Sequence, residues 1–244
     1  MLQPHIQLDE TLGIKYAILP GDPARVDRIV KHLENVEDLG FNREYKKVCG
    51  TYKGVKVLAM STGMGGASTG IAVEELVQIG VTHAIRIGSC GALKEGIKLG
   101  DLVIVNGAVR DDGASKTYVG AQYPAVPDTD LLFDCIEAAK EKAFPYHIGI
   151  ARSHDSFYID NEEEVSTYWS KQGVIGSDME TSALFTIGRI RGLKTASILN
   201  NVVVWGENTA DSIGSYVDGE DMTAVGERNE IIVALEAFVK EEQK

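Results

Sequence analysis

The segment HAIRIGSCG, residues 83–91, predicts a β-strand that runs into a glycine-rich turn. Arg86 stands inside this otherwise apolar strand. Glycines alone would suffice for a turn, so the arginine needs another explanation. Its guanidinium is a planar fork of donors suited to phosphate oxygens, and glycines let the backbone approach a ligand. We therefore interpret the end of this strand as part of an anion site.

Two other segments place an arginine beside a predicted strand end or tight turn. They are PGDPARV, residues 20–26, and FNREY, residues 41–45. The side chains and glycines that fit a phosphate site are Gly21, Arg25, Arg86, Ser89 and Gly91. Singly, each has an ordinary alternative, because a glycine after a strand is usually a turn and an arginine on a helix is usually solvated or paired. Together they predict that one phosphate ion is bound.

The surrounding sequence alternates between strand and helix patterns, which indicates an α/β fold. Predicted strands precede and follow residues 83–91: 15–20, a hairpin over 49–63 with its turn at Lys53-Gly54, 101–109, 146–153 and 194–205. Predicted helices lie at 23–36, 71–80, 130–143 and 229–242, and residues 173–192 begin as a strand and continue as a helix. The last helix is predicted to be amphipathic, with its acidic groups and lysine on the outer face. We expect one domain over 1–244, with 205–221 as a polar loop that is either a lid or an ordinary surface loop.

Composition excludes several classes of protein. The 244 residues include 44% hydrophobic and 25% charged residues, and the net charge is −12, which disfavours nucleic acid and anionic membranes as partners. No apolar stretch approaches the roughly 20 residues of a membrane helix, and the amino terminus lacks a signal-peptide pattern. Cys49, Cys90 and Cys135 show no CxxC spacing, so we expect reduced thiols and no zinc site. We expect a cytoplasmic protein with structural or surface histidines at positions 32, 83, 147 and 154.

A second candidate site lies in SDMETSAL, residues 177–184, at a predicted strand-to-helix junction. Asp178 and Glu180 flank Met179 there. One interpretation is a helix start with acidic residues at its positive end. The other is that Glu180 accepts hydrogen bonds from vicinal hydroxyls while Met179 packs against an apolar sugar face.

In their order along the chain, several motifs resemble the nucleoside phosphorylase family, of the hexameric uridine phosphorylase and purine nucleoside phosphorylase type. The motifs are PGDPARV, NREY, STGMGGASTGIAVEEL, RIGSCGAL, YPAV, DSFY and DMETSAL. The resemblance implies a single-domain three-layer α/β sandwich, with a mixed, partly barrel-like central sheet flanked by helices. It also implies phosphorolysis of a nucleoside to a free base and (deoxy)ribose 1-phosphate, with phosphate as co-substrate and neither a metal nor another cofactor.

The same resemblance implies roles for individual residues. Arg86 and Glu180 would be catalytic, and the phosphate would be bound by Gly21, Arg25, Arg86 and Ser89 together with Arg43 from a neighbouring subunit. Ribose would be bound by Met179 and Glu180, with His5 again from the neighbour. Phe157 matches an aromatic residue that lines the base pocket, and the further candidates for that pocket are Cys90, Gly91, Asn161, Asp178, Asn201 and Trp205. For Asn201, a buried side chain that satisfies the strand backbone is an equal alternative. Two residues supplied in trans imply a homo-oligomer, at least a dimer, and the family's usual assembly is a hexamer.

The base itself is not determined by these motifs. Uridine phosphorylases read uracil with a Gln-x-Arg pair after the aromatic motif, where this chain has Asn161 and Glu163. Purine enzymes use an aspartate that is absent from ILNNVVVWGEN, residues 198–208. The amino-acid sequences of the motifs taken together favour a uridine phosphorylase-like enzyme, with purine nucleoside phosphorolysis as the alternative.

Three other classes of function fit the sequence less well. A nucleosidase of the same superfamily would not need the full set of phosphate arginines, and a non-catalytic nucleoside-binding protein would not need Glu180 and Arg86. A serine hydrolase is disfavoured because GSCG, residues 88–91, lacks the G-x-S-x-G spacing.

Overall fold

A computed structural model describes residues 1–206 and 222–244 of the chain. The described strands form one nine-stranded sheet. They are β1 (Tyr16–Pro20), β2 (Glu34–Asn42), β3 (Tyr45–Tyr52), β4 (Val55–Met60), β5 (His83–Ala92), β6 (Leu102–Asp111), β7 (Tyr146–His154), β8 (Val174–Asp178) and β9 (Lys194–Val203). The described α-helices are α1 (Pro23–Val30), α2 (Gly66–Gln78), α3 (Ala114–Tyr118), α4 (Thr129–Glu141), α5 (Glu162–Lys171), α6 (Thr181–Ile190) and α7 (Met222–Glu242), and a 3₁₀ turn spans Glu10–Leu12.

The strand that contains Arg86 is the one on which the sheet closes. β5 pairs in parallel with β1 on one side and with β9 on the other, and its last two residues, Gly91 and Ala92, pair antiparallel with β8. The pairing with β9 shifts register between Cys90 and Gly91, as at a β-bulge. The strands β5, β8, β7, β6 and β9 therefore close into a ring, and β1, β4, β3 and β2 extend from it. The predicted mixed, partly barrel-like sheet is confirmed.

Helices cover the sheet and enclose two hydrophobic clusters. One cluster joins α2 and α6 to the sheet through residues such as Leu76, Leu184 and Phe185. The other joins α1, α4 and α7 to it through residues such as Ile29, Leu131 and Phe238. Apolar side chains from both sides of the strands are thus removed from water, which is the main stabilising contribution to a fold of this size.

Residues 23–36, predicted as one helix, form a shorter helix followed by a turn and the start of a strand. The helix ends at Val30, and His32 and Leu33 donate backbone hydrogen bonds to the carbonyls of Ile29 and Val30 in a tight turn. The next nine residues form β2, paired antiparallel with β3. Almost all β2 side chains are exposed, so the strand is stabilised by backbone pairing and leaves no apolar period in the sequence.

The last helix also differs from the prediction. It begins at Met222, two turns before the predicted start, and its acidic residues do not all face outward. Glu227 and Glu230 are buried, and so are Glu236 and Glu241. The short helix α3 and the helix α5 were not predicted. Of the loop predicted at 205–221, only Trp205 and Gly206 lie within the described residues.

Within the described parts of the chain, no helix combines the length and apolar character that a membrane span requires. The three cysteines are buried and unpaired.

Candidate active site

A cavity of about 1120 Å³ opens where β1, β5, β8 and β9 end. The turn after β1 and the segments around Gly63, Phe157 and Met179 complete its wall. The predicted site residues that line it are Gly21, Arg25, Arg86, Ser89, Cys90, Gly91, Phe157, Asp178, Met179, Glu180 and Trp205. Residues from distant parts of the sequence meet here because β1, β5 and β9 are parallel and their carboxyl ends lie at one edge of the sheet, a common location for ligand sites in α/β folds. The end of β8 reaches the same place by pairing with the end of β5.

Arg86 is the central cation of the site. Its Nε donates to Asp178 Oδ2 at 3.0 Å, and its Nη2 lies 2.5 Å from Glu180 Oε2. Burial lowers the pKa of Arg86, but Glu180 and Asp178 more than offset this effect, so the pKa is raised and the side chain is charged. Gly88 makes room for the guanidinium, since a Cβ at that position would lie 2.5 Å from Arg86 Nη2.

One donor of Arg86 has no partner in the part of the chain that the structure describes. Nη1 is buried and makes no hydrogen bond with any described residue. It lies on the side of Gly21, where a Cβ would be 3.9 Å from Nη1 and 3.2 Å from the carbonyl oxygen of Gly63. Buried donors are almost always satisfied, so an unpartnered guanidinium N–H in a cavity wall indicates a position for an anionic ligand.

Asp178 positions Arg86. Besides the bond to Arg86, Oδ2 accepts from the backbone and the hydroxyl of Thr181, at 3.0 and 2.5 Å. Oδ1 accepts from Ser153 Oγ at 2.5 Å. Asp178 lines the cavity, but both of its oxygens accept hydrogen bonds from the protein. Its role is therefore to hold Arg86 in place, and the geometry does not favour the predicted contact with the base.

Glu180 points into the cavity from the start of α6. Its Oε1 accepts the backbone N–H of Gly65 at 2.6 Å, which fixes the carboxylate against the glycine-rich segment before α2. Burial raises the pKa of Glu180, and the charge of Arg86 opposes that increase. The carboxylate is therefore fixed beside both Met179 and the unpartnered donor of Arg86.

Arg25 joins the site from α1. Its Nη2 donates to Ser89 Oγ at 3.2 Å. Two carboxylates of α7 lie behind it: Arg25 Nε donates to Glu227 Oε2 at 2.9 Å, and Nη1 lies 3.3 Å from Glu230 Oε1. Glu230 also accepts the backbone N–H of Gly88 at 3.1 Å, and burial raises its pKa to about 8. Neither glutamate was predicted to lie near the site, because the helix predicted over 229–242 placed Glu230 on its outer face and began after Glu227.

Four predicted site residues lie outside the wall of this cavity. Asn201 is fully buried, and its amide donates to the Lys98 carbonyl at 3.1 Å, so we assign it a structural role. Asn161 is exposed at the start of α5. Arg43 is exposed in the turn between β2 and β3 with a φ of 54°, and His5 Nδ1 lies 2.5 Å from Glu75 Oε1. Neither of these last two reaches the cavity of its own chain.

Several residues at the Phe157 end of the cavity were not predicted from the sequence. Ser177, Glu162 and His154 line it, although His154 was predicted to be structural or on the surface. Arg152 lies nearby, buried in β7. The signal for Arg152 was available, because an arginine near the end of an apolar strand is the pattern that identified Arg86.

The chain was compared with known proteins. The family model described as the phosphorylase superfamily matches residues 15–230. A guanosine phosphorylase from Halorubrum lacusprofundi is 39% identical over 86% of this chain and 88% of that protein. A uridine phosphorylase from Thermococcus kodakarensis is 37% identical over 97% of this chain and 85% of that protein.

Solved structures agree with these relatives. A uridine phosphorylase from Vibrio fischeri, crystallised with 6-hydroxy-1-naphthoic acid, superposes with a TM-score of 0.91 and 48% identity, over 98% of this chain and 96% of that one. With the family model covering most of its length and these relatives aligned along nearly all of it, the chain belongs to the phosphorylase superfamily.

Proposed function

We propose that the cavity binds a nucleoside and inorganic phosphate and exchanges the base for phosphate, giving free base and (deoxy)ribose 1-phosphate. The enzyme is a nucleoside phosphorylase, a pentosyltransferase of the uridine phosphorylase-like kind. The observation that carries the phosphate site is the buried, unpartnered Nη1 of Arg86 beside Gly21. A phosphate oxygen at that position would satisfy the donor with a charge-assisted hydrogen bond.

The charges of the site suit this reaction. Cleavage of an N-glycosidic bond builds positive charge on the sugar ring and negative charge on the departing base. A phosphate dianion held by Arg86, Arg25 and Ser89 would stabilise the first charge and act as the nucleophile. The proposal therefore needs phosphate as a co-substrate and no other cofactor.

The sugar is assigned to Glu180 and Met179. An ionised carboxylate accepts hydrogen bonds from ribose hydroxyls, and Arg86, 2.5 Å from Glu180 Oε2, favours the ionised form. Glu180 Oε1 accepts from Gly65, so Oε2 is the oxygen that would contact both Arg86 and a sugar hydroxyl. Glu180 would thus link the sugar to the cation that holds the phosphate.

The assembly is proposed to be a homo-oligomer, at least a dimer and, as in the resembled family, a hexamer. In support, Arg43 and His5 lie outside the cavity of their own chain, so they could act only in the site of a second copy. We also propose a cytoplasmic location, because buried, unpaired cysteines suit a reducing compartment.

Purine nucleosides are the second candidate class of substrate. The absence of the uracil-reading Gln-x-Arg pair and the 39% identity to a guanosine phosphorylase favour this alternative. Release of free base from uridine, thymidine, inosine, guanosine and adenosine, each with and without phosphate, tests both. Phosphate-dependent release supports phosphorolysis and identifies the base. Release that is equal without phosphate indicates a nucleosidase, and no release from any of them leaves a binding protein.

A further inference from the structure

Three polar side chains with unsatisfied atoms lie together at the Phe157 end of the cavity: Ser177 and Glu162 line it, and Arg152 lies buried beside them. Arg152 on β7 and Ser177 on β8 are register partners on parallel strands, so their side chains project from the same face of the sheet. Ser177 is in turn paired with Gly91 of β5, which lines the cavity. Glu162 lines the cavity from the first residue of α5.

Arg152 and Glu162 are each anchored at one atom and unsatisfied at another, and the hydroxyl of Ser177 is unsatisfied among the described residues. Arg152 Nε donates to Asp111 Oδ2 at 2.8 Å, and Glu162 Oε1 accepts from Ser166 Oγ at 2.8 Å. Arg152 Nη1, Glu162 Oε2 and Ser177 Oγ are buried without a hydrogen-bond partner among the described residues. Arg152 Nη1 and Glu162 Oε1 are 4.0 Å apart, too far for a hydrogen bond. The side chain of Arg152 is only 4% exposed, so bulk water does not compensate the free donor.

Asp111 and His154 do not cancel this pattern, and Glu163, which also lines the cavity, is exposed. Asp111 is engaged at the opposite end of the guanidinium, and the Nδ1 of His154 lies 2.9 Å from the Ser156 carbonyl. Burial, with a smaller contribution from Arg152, lowers the pKa of His154, so the imidazole is neutral at pH 7. The cluster therefore offers a cationic donor and a carboxylate acceptor side by side.

We infer that Arg152 and Glu162 are specificity-determining residues that read a lactam edge of the base, a carbonyl adjacent to a ring N–H. The guanidinium donates to the carbonyl, and the carboxylate accepts from the N–H. Uracil and 6-oxopurines both present that edge. Cytosine and adenine present an amino donor beside a bare ring nitrogen, which places donor against donor and acceptor against acceptor. The inference rests on the proposed function. It assigns Arg152 to base recognition in a chain that has Glu163 where uridine phosphorylases have the arginine of their Gln-x-Arg pair.

The test compares substrates that differ at one atom. Phosphorolysis of uridine and 3-methyluridine, and of inosine and 1-methylinosine, is measured for the wild type and for Glu162→Gln, with cytidine and adenosine alongside. Methylation removes the N–H, so the wild type should prefer the parent nucleoside by about 10- to 100-fold in kcat/KM. Glu162→Gln should lose most of that preference by slowing the parent and leaving the methylated substrate nearly unchanged. Glu164→Gln, an exposed neighbour outside the cavity, is the matched control and should keep it.

A second variant keeps the charge at the other position. Arg152→Lys should lower kcat/KM for uridine or inosine with a smaller effect on cytidine or adenosine. Its melting temperature separates this result from a folding defect. An unchanged parent-to-methyl ratio in Glu162→Gln overturns the inference, whatever Arg152→Lys does. If the wild type cleaves no nucleoside, the proposed function fails. Calorimetric binding of the same substrate pairs then still tests recognition of the lactam edge, and equal affinity for the parent and the methylated nucleoside overturns the inference.

Discussion

Arg86 and Glu180 form an ion pair of 2.5 Å in the wall of the cavity, and the pairing leaves Arg86 Nη1 unsatisfied on the side of Gly21. A single guanidinium thus contacts the residue assigned to the sugar while presenting a donor to the position assigned to phosphate. The geometry couples the two proposed subsites through one side chain.

Arg86→Lys should keep the charge and lose the fork. Lysine lacks the planar guanidinium that contacts Asp178, Glu180 and a phosphate oxygen at the same time. We therefore expect kcat/KM to fall about 100-fold and the apparent affinity for phosphate to be reduced. Steady-state kinetics at varied phosphate concentration measures this. Arg191→Lys, which alters an exposed arginine paired with Glu74, should leave the kinetics unchanged. Wild-type kinetics in Arg86→Lys would contradict the phosphate assignment.

Glu180→Gln should weaken the use of ribosides much more than that of 2′,3′-dideoxyribosides. The amide retains the size of the side chain but loses the ionised acceptor, a contribution of about 1.5–3 kcal/mol for a charged hydrogen bond. Competition between the two nucleosides for the same variant gives the ratio directly. Equal losses on both would mean that Glu180 acts only by fixing Arg86 and Gly65.

Glu230→Gln should change how stability depends on pH. Burial raises the pKa of Glu230 from 4.5 to about 8, so between these values the folded protein binds a proton that the unfolded chain has released. Its contribution to the free energy of unfolding therefore falls as pH rises from about 4.5 to about 8, by an amount on the order of a few kcal/mol. The neutral variant should lose this slope, as denaturant unfolding at several pH values would reveal.

Glu236→Gln, on the same helix, should change the pH dependence of stability in the opposite direction. Lys142, Lys53 and Tyr52 lower the pKa of Glu236 in spite of its burial. Its stabilising effect should be present above pH 4.5 and be lost as pH falls, so removing it should destabilise the protein at neutral pH and not in acid. If Glu230→Gln keeps the wild-type slope, the buried environment assigned to Glu230 is wrong.

Subunits that carry different defects should complement each other. In a mixed oligomer of Arg43→Ala and Arg86→Lys chains, some sites combine a wild-type cavity with Arg43 of the partner subunit. Co-expression should therefore recover a substantial fraction of the activity that each variant lacks alone. Mixing Arg25→Ala with Arg86→Lys should recover none, because both residues belong to one cavity. Failure of the first mixture to regain activity would contradict a site shared between subunits.

Much of the architecture was accessible from local pattern. The Lys53-Gly54 hairpin, β5, β7 and the junction of β8 with α6 were predicted closely, because each has a clear apolar period or a turn that requires positive φ, here 48° and 84°. β2 was not accessible, since its exposed side chains carry no period and its partner β3 supplies the stability.

The sequence by itself determined which groups the chain possesses: arginines beside strand ends, glycines that admit them, and a carboxylate pair at the start of a helix. Only the tertiary structure decided which of their atoms are left for a ligand. The ring closes through pairing of β5 with β9, more than a hundred residues away, and α7 brings Glu227 and Glu230 behind Arg25. Arg86 and Arg152 each donate from Nε to a carboxylate distant in sequence, Asp178 and Asp111, and the Nη1 that is left over in each is a property of that packing, which no local pattern encodes.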